Sequence, residues 1–225
     1  MSIRLSVLAA LLTSTVLPLA SATAAINTYT NESQFAGFFS DPSQYITEDF
    51  SSLSDGSHEN EILFSDYPDS PISFTVSTPE VLDMGEDING LWRNGSDFTY
   101  GTWLGTLAEN QPVTITFDSG IRAVGGTFFL TDIDEAPVEG TVFVSINGDT
   151  PIELYSLPSG EQPFLGIVTT GSDFIESLVF TTTAPFAYVT LSNLTVSTVP
   201  EPGTCALLAA GLAGAALLRR RRMLR

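Results

Sequence analysis

Hydrophobic and polar residues alternate with a period of two over much of the chain. In the segment 113–117, Val113, Ile115 and Phe117 fall on one face of an extended backbone, and threonines take the other face. The segment 142–146 repeats the same pattern. A period of two is typical of half-exposed antiparallel strands that pack one face on a core.

Ten short runs rich in β-branched and aromatic residues follow one another, separated by Gly, Asn, Asp and Pro. They are ITEDF, ISFTV, DFTYGTW, PVTITF, AVGGTFFLTD, GTVFVSIN, IELYSL, FLGIVTT, FIESLVFTT and FAYVTLSNLTV. No helical pattern lies between them to connect parallel strands. The chain therefore predicts an all-β fold, an antiparallel two-sheet β-sandwich of the jelly-roll or Greek-key kind, as one domain over residues 26–198.

Three local patterns add detail to this sandwich. The stretch NESQ at 31–34 predicts the capped start of a helix, the only one expected outside the two chain ends. The Asn-Gly pair at 147–148 predicts a hairpin turn. The Gly pair at 125–126, inside one of the runs, predicts a bulge or a close approach by other backbone.

The first 25 residues form a separate segment. Arg4 precedes an apolar run from Leu5 to Ala20, and the small residues at 22–24 fit a cleavage site. Residues 1–25 are therefore predicted to be a secretory signal peptide, which implies the secretion machinery and signal peptidase as partners.

Charge is distributed unevenly along the 225 residues. The chain has no lysine, and six of its eight arginines lie in the two ends. Residues 26–198 carry two arginines against 25 carboxylates, a net charge of −23. Such a surface repels phosphate backbones, which excludes nucleic acid as a partner. The single cysteine, Cys205, lies in the tail, so packing rather than a disulfide must hold the domain together.

The last 27 residues, 199–225, form a tripartite tail. Pro200, Glu201 and Pro202 keep the backbone extended. The 15 uncharged residues that follow, 204–218, would span about 22 Å as a helix, which is short for a hydrocarbon core of ~30 Å. We expect a short, temporary transmembrane helix. The arginines at its end, which resist crossing the bilayer, should hold the C-terminus in the cytoplasm; they are Arg219, Arg220, Arg221 and Arg222.

This order of Pro-Glu-Pro, apolar stretch and arginine cluster resembles the PEP-CTERM sorting signal of bacterial exported proteins. The resemblance implies an exosortase as partner, which acts near Pro200–Pro202 and releases the body to the cell surface or its polysaccharide matrix. It makes residues 204–218 a discarded membrane anchor. The body from residue 117 onward also resembles the lectin-like or jelly-roll domains common in such proteins.

The stretch NGLWRNGSDFTYGTW is a candidate carbohydrate-binding region. Aromatic faces stack on sugar rings, and arginine can fix hydroxyl or carboxylate groups. The candidates are Trp92, Arg93, Tyr100 and Trp103. The alternative is that these aromatic residues are simply part of the core.

Two acidic stretches could hold calcium, which takes several hard oxygen ligands. The first, TDIDEAPVEG, supplies Asp132, Asp134, Glu135 and Glu139. The second, DMGEDING, supplies Asp83, Glu86, Asp87 and Asn89. The alternative for both is a solvated loop, which a chain this acidic produces by chance.

No motif for nucleophilic catalysis is present in the sequence. Its one histidine, His58, lies in a polar stretch and has no G-x-S-x-G or Cys-His partner motif. We expect a non-enzymatic exported protein with a structural or adhesive role in surface polysaccharide or biofilm. The alternatives are a carbohydrate-binding module, with or without calcium, and a polysaccharide hydrolase or lyase, which needs two facing carboxylates.

Overall fold

The computed structural model describes residues 26–39, 45–65, 67–68, 70–80, 90–95, 102–156, 163–170, 173–198 and 211. Before residue 198, these residues form strands and one short helix. In chain order the elements are β1 (Ile26–Tyr29), α1 (Glu32–Ala36), β2 (Ile46–Glu48), β3 (Gly56–Ser57), β4 (Glu61–Phe64), β5 (Phe74–Ser77), β6 (Leu91–Asn94), β7 (Trp103–Thr106), β8 (Val113–Ile121), β9 (Ala123–Thr131), β10 (Pro137–Val138), β11 (Gly140–Ile146), β12 (Ile152–Ser156), β13 (Phe164–Thr169), β14 (Ile175–Thr182) and β15 (Tyr188–Ser197).

The strands form two antiparallel sheets. The nine-stranded sheet has the order β1-β13-β9-β15-β7-β6-β3, with β10 added to β9 and β2 added to β15. The six-stranded sheet has the order β12-β11-β14-β8-β5-β4. The predicted all-β, two-sheet sandwich is therefore confirmed.

The core lies between the two sheets and follows the predicted alternation. Val113, Ile115 and Phe117 of β8 are buried, and so are their counterparts on β11. Phe128 of β9 and Phe180 of β14 stack across the interface with ring centroids 4.3 Å apart. The alternating apolar residues therefore identify the inner faces of both sheets.

The outer face of the nine-stranded sheet is also partly covered, by α1. Asn31 caps this helix by accepting a hydrogen bond from the Gln34 backbone N–H, as the sequence predicts. Its Phe35 is buried against Gly125 and Gly166, which are cross-strand partners on β9 and β13. A β-carbon on Gly125 would lie 2.5 Å from the Phe35 ring, so the two glycines form the seat of this side chain.

The prediction for the glycine pair at 125–126 is confirmed at Gly126, where the β15 register shifts and the Ser192 carbonyl oxygen would lie 3.4 Å from an added β-carbon, but not at Gly125. The close approach to Gly125 is made by aromatic side chains, not by other backbone. The irregularity lies on the neighbouring strand β15, where the register with β9 shifts between Ser192 and Thr195. Asn193, within this shift, has a φ of 52°. The glycines provide space for a ring, and the bulge belongs to the partner strand.

The hairpin turn between β11 and β12 is confirmed. Asn147 and Gly148 have φ values of 51° and 79°, and the Asp149 N–H donates to the Ile146 carbonyl oxygen. The Asn147 side chain also accepts from the Glu176 N–H at 2.7 Å. The turn is therefore tied to the start of β14.

Most of both chain ends lies outside the described residues. These parts include the predicted signal peptide, Pro200–Pro202 and Arg219–Arg222. Within the part that the structure describes, no helix is long and apolar enough to cross a membrane.

Replacing Phe35 by Ala should lower the free energy of unfolding by about 3 kcal/mol, because a fully buried ring is removed from its seat. Urea denaturation of the full-length protein measures this change. Leu63→Ala, at a side chain that is 61% exposed, is the control and should change stability by less than about 0.5 kcal/mol.

Gly125→Ala should also destabilise the protein, but less in the Phe35→Ala background, because the two closest ring atoms are then gone and only the Phe164 ring, 2.9 Å from the new β-carbon, has to move. An equal loss in both backgrounds would contradict the seating of Phe35 on the glycines.

Candidate functional site

A pocket of about 290 Å³ opens on the nine-stranded sheet where β6, β7, β9 and β15 lie near one another. We call it the Trp92–Trp103 pocket. Its lining combines aromatic, aliphatic, hydroxyl and acidic side chains. They are Trp92, Trp103, Thr106, Leu107, Thr131, Asp132, Ile133, Glu135 and Tyr188.

The two tryptophans reach the pocket from the neighbouring strands β6 and β7. Leu91 and Leu104 of these strands are fully buried in the core, so the alternation of side chains turns Trp92 and Trp103 to the outer face. The strand carries Gly105 two residues after Trp103, and a β-carbon there would lie 3.2 Å from the indole Cζ3. A small residue thus allows the indole to lie close to the sheet.

Two residues that line the pocket each carry a buried polar atom without a partner. Trp92 Nε1 and Thr106 Oγ1 have no hydrogen bond within the described residues. Thr106 is only 4% exposed and lines the pocket. A buried donor or acceptor without a partner costs about 1–3 kcal/mol. Thr106 is paired with the core residue Leu91, which places its side chain on the core face, so Trp92 Nε1 is the partnerless atom on the pocket's side of the sheet.

The acidic side of the pocket is a tight turn after β9. Asp132 Oδ1 accepts from the backbone N–H groups of Asp134 and Ala136, at 3.0 and 2.9 Å. Glu135 has a φ of 67°, unusual for a residue with a side chain, and accepts a hydrogen bond from the Asn94 side chain. Ile133 at the tip of the turn is 79% exposed and lines the pocket on this side.

Tyr188 of β15 lies on the lining beside these acids. Burial, and then the negative charges of Glu109 and Asp132, raise the pKa of its phenol above the ordinary value of about 10. The group therefore stays a neutral O–H donor at neutral pH.

The structure separates the predicted carbohydrate residues. Trp92 and Trp103 line the pocket, whereas Arg93 does not. Its guanidinium pairs with Asp55, beyond the opposite face of the strand. Tyr100 lies outside the described residues. Two of the four predicted residues are thus brought together, and the arginine is used elsewhere.

The predicted calcium residues are only partly assembled. Asp132 and Glu135 line the pocket, and Asp134 and Glu139 do not. Within the described residues, no three His, Cys, Asp or Glu side chains are grouped to hold a metal ion. The second acidic stretch, 83–89, lies outside these residues. Calcium binding stays a prediction, which melting with and without a chelator tests.

Sequence reasoning missed the pocket residues Thr106, Ile133 and Tyr188. Tyr188 and Thr131 are cross-strand partners, and β15 lies between β9 and β7. The sequence lacked any signal for this strand order. The aromatic stretch that contains Trp92 and Trp103 and the acidic stretch that contains Asp132 and Glu135 were therefore predicted as separate sites. Of these three residues, only Ile133 had a visible signal in the sequence, which was its position at the tip of an acidic turn.

A second cavity, also about 290 Å³, lies beside α1 and contains Phe35, Phe39, Tyr45 and Phe164 in its lining. None of the partnerless buried polar atoms of the described residues lies there. The Trp92–Trp103 pocket is therefore the better candidate site.

The tail matches a known family. Residues 198–222 match the family model of the PEP-CTERM protein-sorting motif, which confirms the resemblance predicted from Pro200, Glu201, Pro202 and the arginines. The motif implies an exported protein that is recognised by the secretion machinery and an exosortase. No curated protein matches the chain.

Several solved structures share partial likeness with the sandwich. An exo-β-1,3-galactanase from Phanerochaete chrysosporium is 20% identical over 48% of this chain and 26% of its own, with a TM-score of 0.31. CsCBM6-3 from Clostridium stercorarium, in complex with cellobiose, is 12% identical over 51% of this chain and 91% of its own, with a TM-score of 0.29. A mutant of CBM29-2, a family 29 carbohydrate-binding module, is 21% identical over 57% and 94%, with a TM-score of 0.28.

The chain spans 26% and 32% of the length of the two galactanase structures that it matches. The TM-scores of all these likenesses are too low to bear on the function of this chain.

Proposed function

Because the chain carries the PEP-CTERM protein-sorting motif, we propose that it is an exosortase substrate whose β-sandwich is released to the cell surface or extracellular matrix, where it adheres to polysaccharide. The Trp92–Trp103 pocket is the proposed contact. The role is structural and adhesive, and the pocket makes the domain a carbohydrate-binding module.

The observation that carries the binding proposal is the partnerless Trp92 Nε1 in an aromatic pocket. The apolar faces of sugar rings pack on partly exposed aromatic side chains such as Trp92. A sugar oxygen can accept a hydrogen bond from Trp92 Nε1, which removes the cost of leaving this atom without a partner. A bound polysaccharide thus supplies the hydrogen-bond partner that the pocket lacks.

We propose that the protein binds without catalysing a reaction. One oxygen of Asp132 already accepts two backbone hydrogen bonds that hold its turn, and Glu135 accepts one from Asn94. The His58 ring contacts the Ser54 carbonyl oxygen at 2.8 Å. A hydrolase or lyase is the alternative, and it would shorten the chains that it binds.

The delivery step follows from the tail. In this proposal the apolar segment 204–218 stalls in the membrane because Arg219–Arg222 resist crossing it. The exosortase then acts near Pro200–Pro202 and releases the body. Membrane anchoring is therefore temporary.

Trp92→Ala should weaken polysaccharide binding at least about tenfold, because a stacking surface is lost. Trp92→Phe should weaken it about three- to tenfold, because an aromatic ring remains but the indole N–H that has no partner in the free protein is lost. Affinity electrophoresis of the full-length protein in gels containing neutral, amino or uronic-acid polysaccharides measures both changes.

The matched control is Tyr155→Ala, which removes a 66% exposed aromatic side chain of the other sheet and should leave binding unchanged. Retention by none of the polysaccharides, or equal retention of wild type and Trp92→Ala, would contradict the binding proposal. Shortened polysaccharide chains after incubation would instead favour the enzyme.

Protein recovered outside the expressing cell should lack residues 1–25 and the residues that follow the Pro-Glu-Pro element, since both ends serve delivery. Intact-mass spectrometry reports the two trimming events together. A variant with Pro200 and Pro202 replaced by Ala should keep its tail and remain in the membrane fraction. Full-length chain in the cytosol, with Met1 and Arg225 retained, would be inconsistent with export.

A further inference from the structure

The charged side chains that line the Trp92–Trp103 pocket are negative. Among the described residues, the charged side chains that line it are those of Asp132 and Glu135, and none is basic. The rings of Trp92, Trp103 and Tyr188 line the same space. Aromatic faces and carboxylates both attract positive charge, so the two kinds of side chain favour the same ligand group.

The protein does not neutralise this charge itself. Residues 26–198 contain only two basic side chains other than His58. Arg93 pairs with Asp55, and Arg122 lies over the Phe174 ring, 4.5 Å from its centroid. Within the part of the chain that is described, neither pocket carboxylate forms an ion pair. The two acids are therefore available to a cation from outside.

A second observation points to a ligand at this place. Trp92 lines the pocket, and its Nε1 is buried without a hydrogen-bond partner. The indole N–H can donate to a sugar oxygen. An amino sugar carries an ammonium, hydroxyls and an apolar ring face together.

We propose that the Trp92–Trp103 pocket binds glycans whose sugars carry a protonated amino group more tightly than neutral or uronic-acid glycans. This inference rests on the proposed polysaccharide binding. The ammonium lies between the aromatic rings and the carboxylates of Asp132 and Glu135. Uronic acids are disfavoured because their carboxylates meet two like charges and no free cation in the pocket.

The test uses three oligosaccharides with one β-1,4-linked backbone: hexamers of glucosamine, of N-acetylglucosamine and of glucose. They differ at carbon 2, which bears an ammonium, a neutral amide or a hydroxyl. Both tryptophans of the chain line the pocket, so the intrinsic fluorescence of the full-length protein reports binding there. EDTA in every sample keeps divalent cations off the carboxylates, and the pH keeps the amines protonated.

The glucosamine hexamer should bind about tenfold more tightly than the other two, as expected for a cation held by aromatic rings and carboxylates. Added salt should reduce this preference, since it screens the charges. The double variant Asp132→Asn, Glu135→Gln keeps the acceptor oxygens of the turn and should lose most of the preference while still binding the neutral hexamers. Glu153→Gln, at an exposed carboxylate of β12, is the matched control and should keep the preference.

The outcomes separate this inference from the proposed function. Equal binding of the three hexamers, or a preference unchanged in the double variant, leaves polysaccharide binding intact and overturns the amino-sugar proposal. Binding of choline without binding of the glucosamine hexamer also overturns it, because the site then takes a free ammonium. Failure of every tested polysaccharide and oligosaccharide to bind overturns the proposed function and the inference with it.

Discussion

The outer face of the nine-stranded sheet depends on one packing constraint, the seating of large aromatic rings on positions without side chains. Phe35 lies on Gly125 and Gly166, and Trp103 lies close to Gly105. At the α1 end this packing covers the strands. Near β6 and β7, Gly105 leaves room for the Thr190 hydroxyl, the Val189 carbonyl oxygen and the Trp103 ring, beside an open pocket. Positions without side chains therefore make room for a structural cover at one end of the sheet and for part of the pocket wall at the other.

Much of the sandwich could be predicted because its long strands have one face in the core. The period of two on β8 and β11 identified their buried residues, and the Asn147-Gly148 pair identified the turn between β11 and β12. The short strands β3 and β10 span only two residues each, too few for any period to show. The position of α1 could not be predicted, because its glycine seat comes from two strands far apart in sequence.

The site was predicted as two separate fragments, one aromatic and one acidic. Strand order joins them, since β15 lies between β9 and β7 and the turn at Asp132 follows β9 directly. Such neighbours are set by the pairing of distant segments, so local sequence does not show them. The burial of Thr106 Oγ1 and the pairing of Arg93 with Asp55 are likewise tertiary facts. They change the expected ligand, since the arginine that would have held a carboxylate is absent from the pocket.

In the proposed complex, the Trp92 indole N–H donates a hydrogen bond to an oxygen of the bound glycan. The chain has only two tryptophans, so its ¹H–¹⁵N NMR spectrum has two indole signals, and Trp92→Phe assigns them. Titration with a glycan that binds should move the Trp92 signal in a saturable way as its N–H gains an acceptor. Saturable binding of a glycan with both indole signals unmoved would contradict the account.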